Sequence, residues 1–174
     1  TIVCGHFPTY AIGRQNNNLP IIDSERRIID IDGGAGVKPA GQLNGFVIHK
    51  NGSEYSFETK FQPLGKVRVV LESFDGYGEW VFSDYEQHRF ECLGTADDLE
   101  LAIFKNLNTN KCGIAPICMS GEWDGVLHVW GNLNSFPTVH KDEPIWVFAE
   151  YGEHCWCITA SGVVGNIPKK VIGD

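Results

Sequence analysis

The sequence predicts a mainly β protein, and three observations carry that prediction. Short runs rich in β-branched and aromatic residues recur along the chain, separated by Gly, Asn, Asp or Pro. Glycine is abundant, at 20 of 174 residues, as expected of a chain with many tight turns. Only one stretch, ADDLELAIFKNL at residues 96–107, offers a helix, and its LELAIF core alternates well enough to be a strand instead.

In order, the strand candidates are IVCGH, RIIDID, NGFVIH, YSFETKF, KVRVVLESF, WVFSDY, PIWVFAEY and CWCITA. The first runs apolar through Ile2, Val3 and Cys4 and ends on Gly5-His6, where Phe7-Pro8 stops the pairing. Charge divides the chain unevenly. Residues 1–62 carry six basic and six acidic side chains, residues 63–122 carry five and ten, and residues 123–174 carry three and six. The shift coincides with the turn-forming Gln62-Pro63-Leu64-Gly65, and a second turn sequence falls at Ser120-Gly121. The expected segments are therefore 1–62, 63–120 and 121–174.

The last two segments read as a tandem repeat. Each ends in Gly-x-x-Pro, Gly113 to Pro116 and Gly165 to Pro168, and His88-Arg89 and His140-Lys141 each lie 25 residues upstream of the glycine. A gap-free offset of 52 puts Glu91 on Glu143, Leu93 on Ile145 and Phe104 on Trp156.

A net charge of -8, with no basic run beyond the pairs Arg26-Arg27 and Lys169-Lys170, excludes phosphate-backbone binding as a main role, so no nucleic-acid partner is expected. No signal-peptide pattern or long apolar run is visible, so no membrane partner is expected either. The six cysteines, Cys4, Cys92, Cys112, Cys118, Cys155 and Cys157, form no Cys-x-x-Cys pair. They read as reduced, mostly buried thiols of a cytoplasmic protein. Gly33-Gly34-Ala35-Gly36 lacks the spacing of a dinucleotide-binding turn, and Val37-Lys38-Pro39 prevents a helix from starting after it. Cys4 and His6 share a strand face without the approach geometry of a nucleophile and its base.

The stretch Cys4-Gly5-His6-Phe7-Pro8-Thr9, followed by Ile31-Asp32-Gly33-Gly34 and then Gly41-Gln42-Leu43-Asn44, resembles the C-terminal part of calcineurin-like metallophosphoesterases, in the protein-phosphatase and diadenosine-tetraphosphatase branch. The resemblance spans roughly residues 1–62. It implies the C-terminal β part of an α/β sandwich and a hydrolase of phosphate esters using two divalent metal ions, Mn, Fe or Zn. It also implies His6 as one metal ligand. The family's Gly-Asp-x-His, Gly-Asp-x-x-Asp-Arg and Gly-Asn-His-Glu motifs do not occur in the sequence. The expectation is thus a C-terminal fragment, inactive alone, whose partners are the N-terminal half of the phosphoesterase domain and, in the intact enzyme, a phosphate-ester substrate. Its unpaired strand edges also predict self-association.

VHKDEPIWVFAEYGEHCWCITASGVVGNIPKKVI resembles the later part of an SH3-like barrel, and residues 88–120 follow the same scheme without the tryptophan. The resemblance implies two small SH3-like β-barrels. It offers Trp146, Tyr151, Trp156 and Pro168 as peptide-binding residues, although the Ala-Leu-Tyr-Asp-Tyr opening is absent and the same aromatics suit a core or an interface. The alternative function is therefore a non-enzymatic binding or adaptor module.

Overall fold

The computed structural model describes residues 1–13, 15–37, 40–78, 80–81, 89–95, 101–129, 133 and 135–173. Most of the WVFSDY run, His88, Lys38-Pro39 and the first five residues of the helix candidate lie outside them. The chain is mainly β, as its strand-forming runs require, and divides into two compact units, Thr1–Leu64 and Gly65–Asp174. Among the described residues no helix is long and apolar enough to cross a membrane.

In the first unit, β1 (Ile2–Cys4) leads through a tight turn into the short helix α1 (Thr9–Gly13). β2 (Ile21–Asp23) and β3 (Ile28–Asp30) form an antiparallel hairpin, and β1 runs parallel to β3 with Cys4 opposite Asp30. Asp23 closes the hairpin turn. Its carboxylate accepts the Arg26 amide at 2.8 Å and pairs with the guanidinium at 2.9 Å. The amide bond first, then the guanidinium, hold the Asp23 carboxyl below its ordinary value.

β4 (Gln42–Asn51) and β5 (Glu54–Pro63) then make a ten-pair ribbon. It turns at Gly52, whose φ of 61° the Asn51-Gly52 step supplies without strain. Alternation sorts the ribbon's faces: Phe46, Ile48, Tyr55 and Phe57 lie on one, His49, Glu58 and Lys60 on the other. Phe46 and Phe57 stack at 5.2 Å, and Ile48, Tyr55 and Phe57 are exposed. The unit's interior is unusually polar. Ile29, Ala40 and Pro63 are its only buried apolar side chains among the described residues, alongside buried Thr9, Asn18, Asp30 and Gln42.

The second unit holds two sheets, and the described residues close neither into a barrel. β7 (Phe90–Thr95), β8 (Leu101–Asn106), β9 (Cys112–Pro116), β10 (Ser120–Trp123) and β11 (Val126–Val129) form a five-stranded sheet in the order β10-β11-β7-β8-β9. β6 (Lys66–Val69), β12 (Pro144–Tyr151), β13 (His154–Ile158) and β14 (Val164–Pro168) form a four-stranded sheet in the order β14-β13-β12-β6. The described part of the ambiguous stretch, from Leu101 on, is a strand because β7 and β9 flank it on both edges.

These sheets do not follow one another; one is nested in the other. After β6 the chain leaves the four-stranded sheet and runs out through Phe74, Tyr77 and Val81 to the five-stranded sheet. It returns through Leu133, Phe136 and Val139 to β12. The outgoing and returning arms pair with each other, each of three residue pairs exchanging both backbone hydrogen bonds at 2.7–3.0 Å. The segment boundary expected at residues 120–121 does not coincide with the sheets. β10 and β11 lie at or beyond it yet complete the β7 sheet, and β6 lies before it yet pairs with β12. Ser120-Gly121 reads as a turn in composition, but the antiparallel partner Val126–Val129 holds it as strand.

The repeat is present in three dimensions, with a different register from the gap-free one. Both sheets contain three consecutive antiparallel strands, a bulge between the first and second, and a 3-10 turn straight after the third strand. The bulges put Leu93 on Phe148, so Phe90 matches Ile145 and Cys92 matches Val147, 55 residues on. The pairing then equates Ala102 with Cys155 and Phe104 with Cys157, 53 residues on. The third strand and its 3-10 turn keep the offset of 52, as Gly113 to Gly165 and Pro116 to Pro168. Burial agrees with this register: Phe90, Ala102, Phe104 and Ala115 fill one core, and Ile145, Cys155, Cys157 and Ile167 fill the other. Phe104 thus corresponds to Cys157 rather than Trp156, because pairing and bulges, not linear spacing, set the register.

The Gly-x-x-Pro motif has a physical cause at each end. A β-carbon on Gly113 would stand 2.6 Å from the Leu133 Cβ, and one on Gly165 would stand 2.4 Å from the Pro137 Cδ. In both sheets, then, the glycine lets the returning arm pass close over the third strand. The proline opens the 3-10 turn, with φ of -59° at Pro116 and -64° at Pro168, values its ring fixes in advance.

The cysteines divide four to two. Cys155 and Cys157 are buried, while Cys4, Cys92, Cys112 and Cys118 are exposed, which overturns the expectation that most are buried. Cys155 and Cys157 share the core-facing register of β13, whereas Cys92, although opposite Phe104, is exposed and Cys118 lies in a 3-10 turn. Cys155 Sγ donates to the Ile167 carbonyl at 3.6 Å, and the interaction between the two buried thiols lowers the Cys155 pKa and, with burial, raises that of Cys157 well above its ordinary value. A thiol reagent applied to the native protein is expected to modify four cysteines rapidly and the remaining two only on unfolding; six fast thiols would contradict this packing.

Candidate functional site

The three motifs that carry the family resemblance meet in one place. Parallel pairing of β1 with β3 brings the end of the first strand, Gly5-His6, beside the end of the third, Ile31-Asp32. The Ile31 amide donates to the Cys4 carbonyl at 3.0 Å, and the Thr9 amide donates to the Asp32 carbonyl at 2.8 Å. Between these two bonds the Asp32 carboxylate accepts the His6 amide on Oδ2 at 2.8 Å and the Gly34 amide on Oδ1 at 2.8 Å.

The third motif packs beneath the second. Gly34 and Gln42 form a parallel bridge, and the Gln42 amide donates to the Gly33 carbonyl at 2.9 Å. A β-carbon on Gly33 would lie 2.2 Å from the Gln42 carbonyl oxygen, and one on Gly41 would lie 2.3 Å from the Gly34 oxygen. This crossing therefore demands glycine on both strands. Around it, the Asn44 amide group donates to the Asn18 and Ile31 carbonyls at 2.7 and 3.1 Å. The Gln42 amide group donates to the Asn18 carbonyl at 3.1 Å and to Asn44 Oδ1 at 2.7 Å.

His6 itself has φ of 107°, a left-handed conformation that non-glycine residues rarely adopt. Its side chain is exposed and its ring meets Phe7 edge-on at 5.0 Å. As a metal ligand His6 is sterically accessible, but both Asp32 oxygens are occupied by backbone amides. Among the described residues no group of three His, Cys, Asp or Glu side chains could hold a metal ion. The residues present thus fit one ligand position and not a complete metal site. In the sequence Asp32 stands within the Ile31-Asp32-Gly33-Gly34 motif with no role of its own. The signal was an Asp directly before Gly-Gly at a strand end, a sequence suited to capping free backbone amides.

The same unit has a cleft of about 640 Å3 lined by Thr1, Val3, Arg27, Ile48, Tyr55 and Phe57. It runs between β1, whose three residues are all exposed, and the apolar face of the ribbon.

The four residues proposed for peptide capture do not form an open groove. Tyr151 and Trp156 are buried, at 6% and 5% exposure, and Trp146 and Pro168 are half-buried. The Tyr151 hydroxyl donates to Asn166 Oδ1, and Trp156 packs on Phe148 at 5.8 Å. A shallower apolar groove of about 270 Å3 lies elsewhere in this unit, between Ile103 and Ile114 and the stacked Tyr77–Phe136 pair of the two arms.

Fold and site together define a mainly β protein with a left-handed histidine clamped at a strand end. No protein-family model, curated protein or solved structure matches the chain.

Proposed function

We propose that the unit Thr1–Leu64 is the C-terminal part of a two-metal phosphoesterase domain, a serine/threonine-phosphatase-like hydrolase of phosphate esters that is inactive until the other metal-binding motifs are supplied. The observation that carries the reading is the convergence of Gly5-His6, Asp32-Gly33-Gly34 and Gly41-Gln42-Asn44 on one strand end. Three short motifs that follow one another along the sequence make one connected structure. The polar, thinly apolar interior and the open edge of β1 support the same reading, since a unit of this size ordinarily needs more buried apolar surface to stand alone.

In this reading the N-terminal half of the domain is the partner and a phosphate ester the substrate. The cofactor is a pair of divalent ions, Mn, Fe or Zn, which when bound supply a hydroxide of lowered pKa and a clamp on the phosphate oxygens. His6 contributes a neutral imidazole nitrogen from a rigid strand end. Six thiols without a disulfide support a cytoplasmic location. The unit Gly65–Asp174 is an appended pair of SH3-like modules. Burial of Tyr151 and Trp156 favours a packing role for them over peptide capture, while the Tyr77–Phe136 groove is what supports the adaptor alternative.

Co-expression with an N-terminal phosphoesterase portion, assayed on p-nitrophenyl phosphate with Mn2+, is expected to give hydrolysis that His6→Ala reduces on the order of 100-fold. A His6→Ala variant with full activity would remove the ligand role, and absence of any hydrolysis would remove the enzyme reading.

A further inference from the structure

We propose that Asp32 is the positioning residue for His6, holding residue 6 in its left-handed conformation and so fixing the direction in which the imidazole leaves the strand end. The functional half of this proposal rests on the reading of His6 as a metal ligand; the conformational half does not. A non-glycine residue at φ of 107° persists only where its surroundings over-determine it, and such residues gather at functional sites.

The surroundings here are specific. The backbone is tied to the β3 end before His6 by the Ile31–Cys4 bond and after it by the Thr9–Asp32 bond. The amide of His6 points into that loop and meets Asp32 Oδ2 at 2.8 Å. A carboxylate is the strong form of acceptor for an N–H group. The second carboxylate oxygen is held by the Gly34 amide, and the Asp32 amide donates to Asp30 Oδ1 at 3.1 Å, so the clamp is itself held. Gly33 and Gly34 are in turn fixed by their close crossing with Gly41 and Gln42. The three motifs form a mechanical series: the glycine crossing sets Asp32, and Asp32 sets His6. With both oxygens engaged by backbone amides, Asp32 has a positioning task.

The test compares His6→Gly with His6→Ala in the full chain, in the wild-type and the Asp32→Ala backgrounds. At a left-handed position glycine is favoured, and at an ordinary one alanine is. The glycine variant is therefore expected to melt roughly 3–6 °C above the alanine variant in the wild-type background. In the Asp32→Ala background that order should vanish or reverse. A glycine advantage that persists undiminished without Asp32 would overturn the proposal. Should Asp32→Ala fail to fold, Asp32→Asn retains the side-chain shape with a weaker acceptor. Amide exchange at His6 should then quicken by about ten-fold while ribbon amides keep their rates, and unchanged exchange at His6 would overturn the clamp.

For the functional half, the co-expressed complex is titrated with Mn2+. Asp32→Asn is expected to raise the Mn2+ concentration for half-maximal hydrolysis by about ten-fold with KM for the ester unchanged, as loss of a positioning group does. An unchanged Mn2+ requirement would overturn positioning. Full activity in His6→Ala is a separate outcome, removing the ligand reading while leaving the conformational clamp in place.

Discussion

Gly33→Ala is expected to unfold the N-terminal unit. The added β-carbon would stand 2.2 Å from the Gln42 carbonyl oxygen, 2.9 Å from the Gln42 Cγ and 3.0 Å from the Asn44 Nδ2. None of these can retreat cheaply. Gln42 is fully buried, its amide donates back to Gly33, and its side chain is bonded to Asn18 and Asn44. Making room breaks the Gly34–Gln42 bridge and strands buried polar groups, mechanisms that together cost about 4 kcal/mol. A unit of this size has a total stability of only about 3–10 kcal/mol, so the substitution removes much or all of it. The measurement is a urea titration followed by amide resonances, with signals from residues 1–64 expected to collapse at lower denaturant than in the wild type. Gly45→Ala is the matched control. Its β-carbon meets only the Lys60 oxygen at 3.6 Å and the Lys60 Cβ at 3.9 Å, ordinary contact. Equal midpoints for Gly33→Ala and Gly45→Ala would show that the close crossing is absent.

Gly165→Ala is expected to be the most damaging glycine substitution tested in the C-terminal unit. Its β-carbon would lie 2.4 Å from the Pro137 Cδ and 2.9 Å from both the Pro137 Cγ and the Ser135 oxygen. The proline ring is rigid, and the Ser135 carbonyl accepts the Asn166 amide at 3.3 Å, so the arm is attached where it would have to move. The expected loss is about 3 kcal/mol, or roughly 10–20 °C in Tm for a unit of this length. Gly94→Ala, with nothing within 4 Å of its β-carbon, should change stability by less than about 0.5 kcal/mol. Pro137→Ala in the Gly165→Ala background should restore part of the loss, because it removes the clashing ring atoms. A double-mutant cycle with no coupling between the two positions would mean the arm does not pass where the structure puts it.

These two glycines also mark how far sequence reading reaches. Gly165 was conspicuous from its Gly-x-x-Pro context, and Gly33 from its place after Asp32. Neither position disclosed what passes over it, because the neighbours, Pro137 and Gln42, lie 28 and 9 residues away along the chain. The repeat shows the same limit. A gap-free offset of 52 is correct for the third strand and its 3-10 turn, and drifts by one and then three residues over the preceding strands, where the connecting lengths differ. A linear comparison sees spacing; a sheet sees which residue faces the core. Cys157 occupies the place of Phe104 because both point inward from the second strand, a property that no likeness of side chains reveals.

At the candidate site, the end of an apolar run on Gly-His before a proline drew attention to His6, and its role as a metal ligand came from the family resemblance alone. Asp32 was legible as a residue and not as a clamp, since its partner amide is 26 residues away and reached only through parallel pairing of β1 with β3. By itself, the sequence determined the β character of this chain and the Gly, Asn, Asp and Pro punctuation that separates its strand runs; these follow from local backbone sterics and period-two patterning. Only the tertiary structure decided that β6 belongs with β12, that the five-stranded sheet is nested within the four-stranded one, and that a carboxylate holds a histidine in a left-handed turn. The physical reason is that strand propensity is local while strand partnership is not: an open edge accepts whichever strand the packing of distant side chains delivers to it.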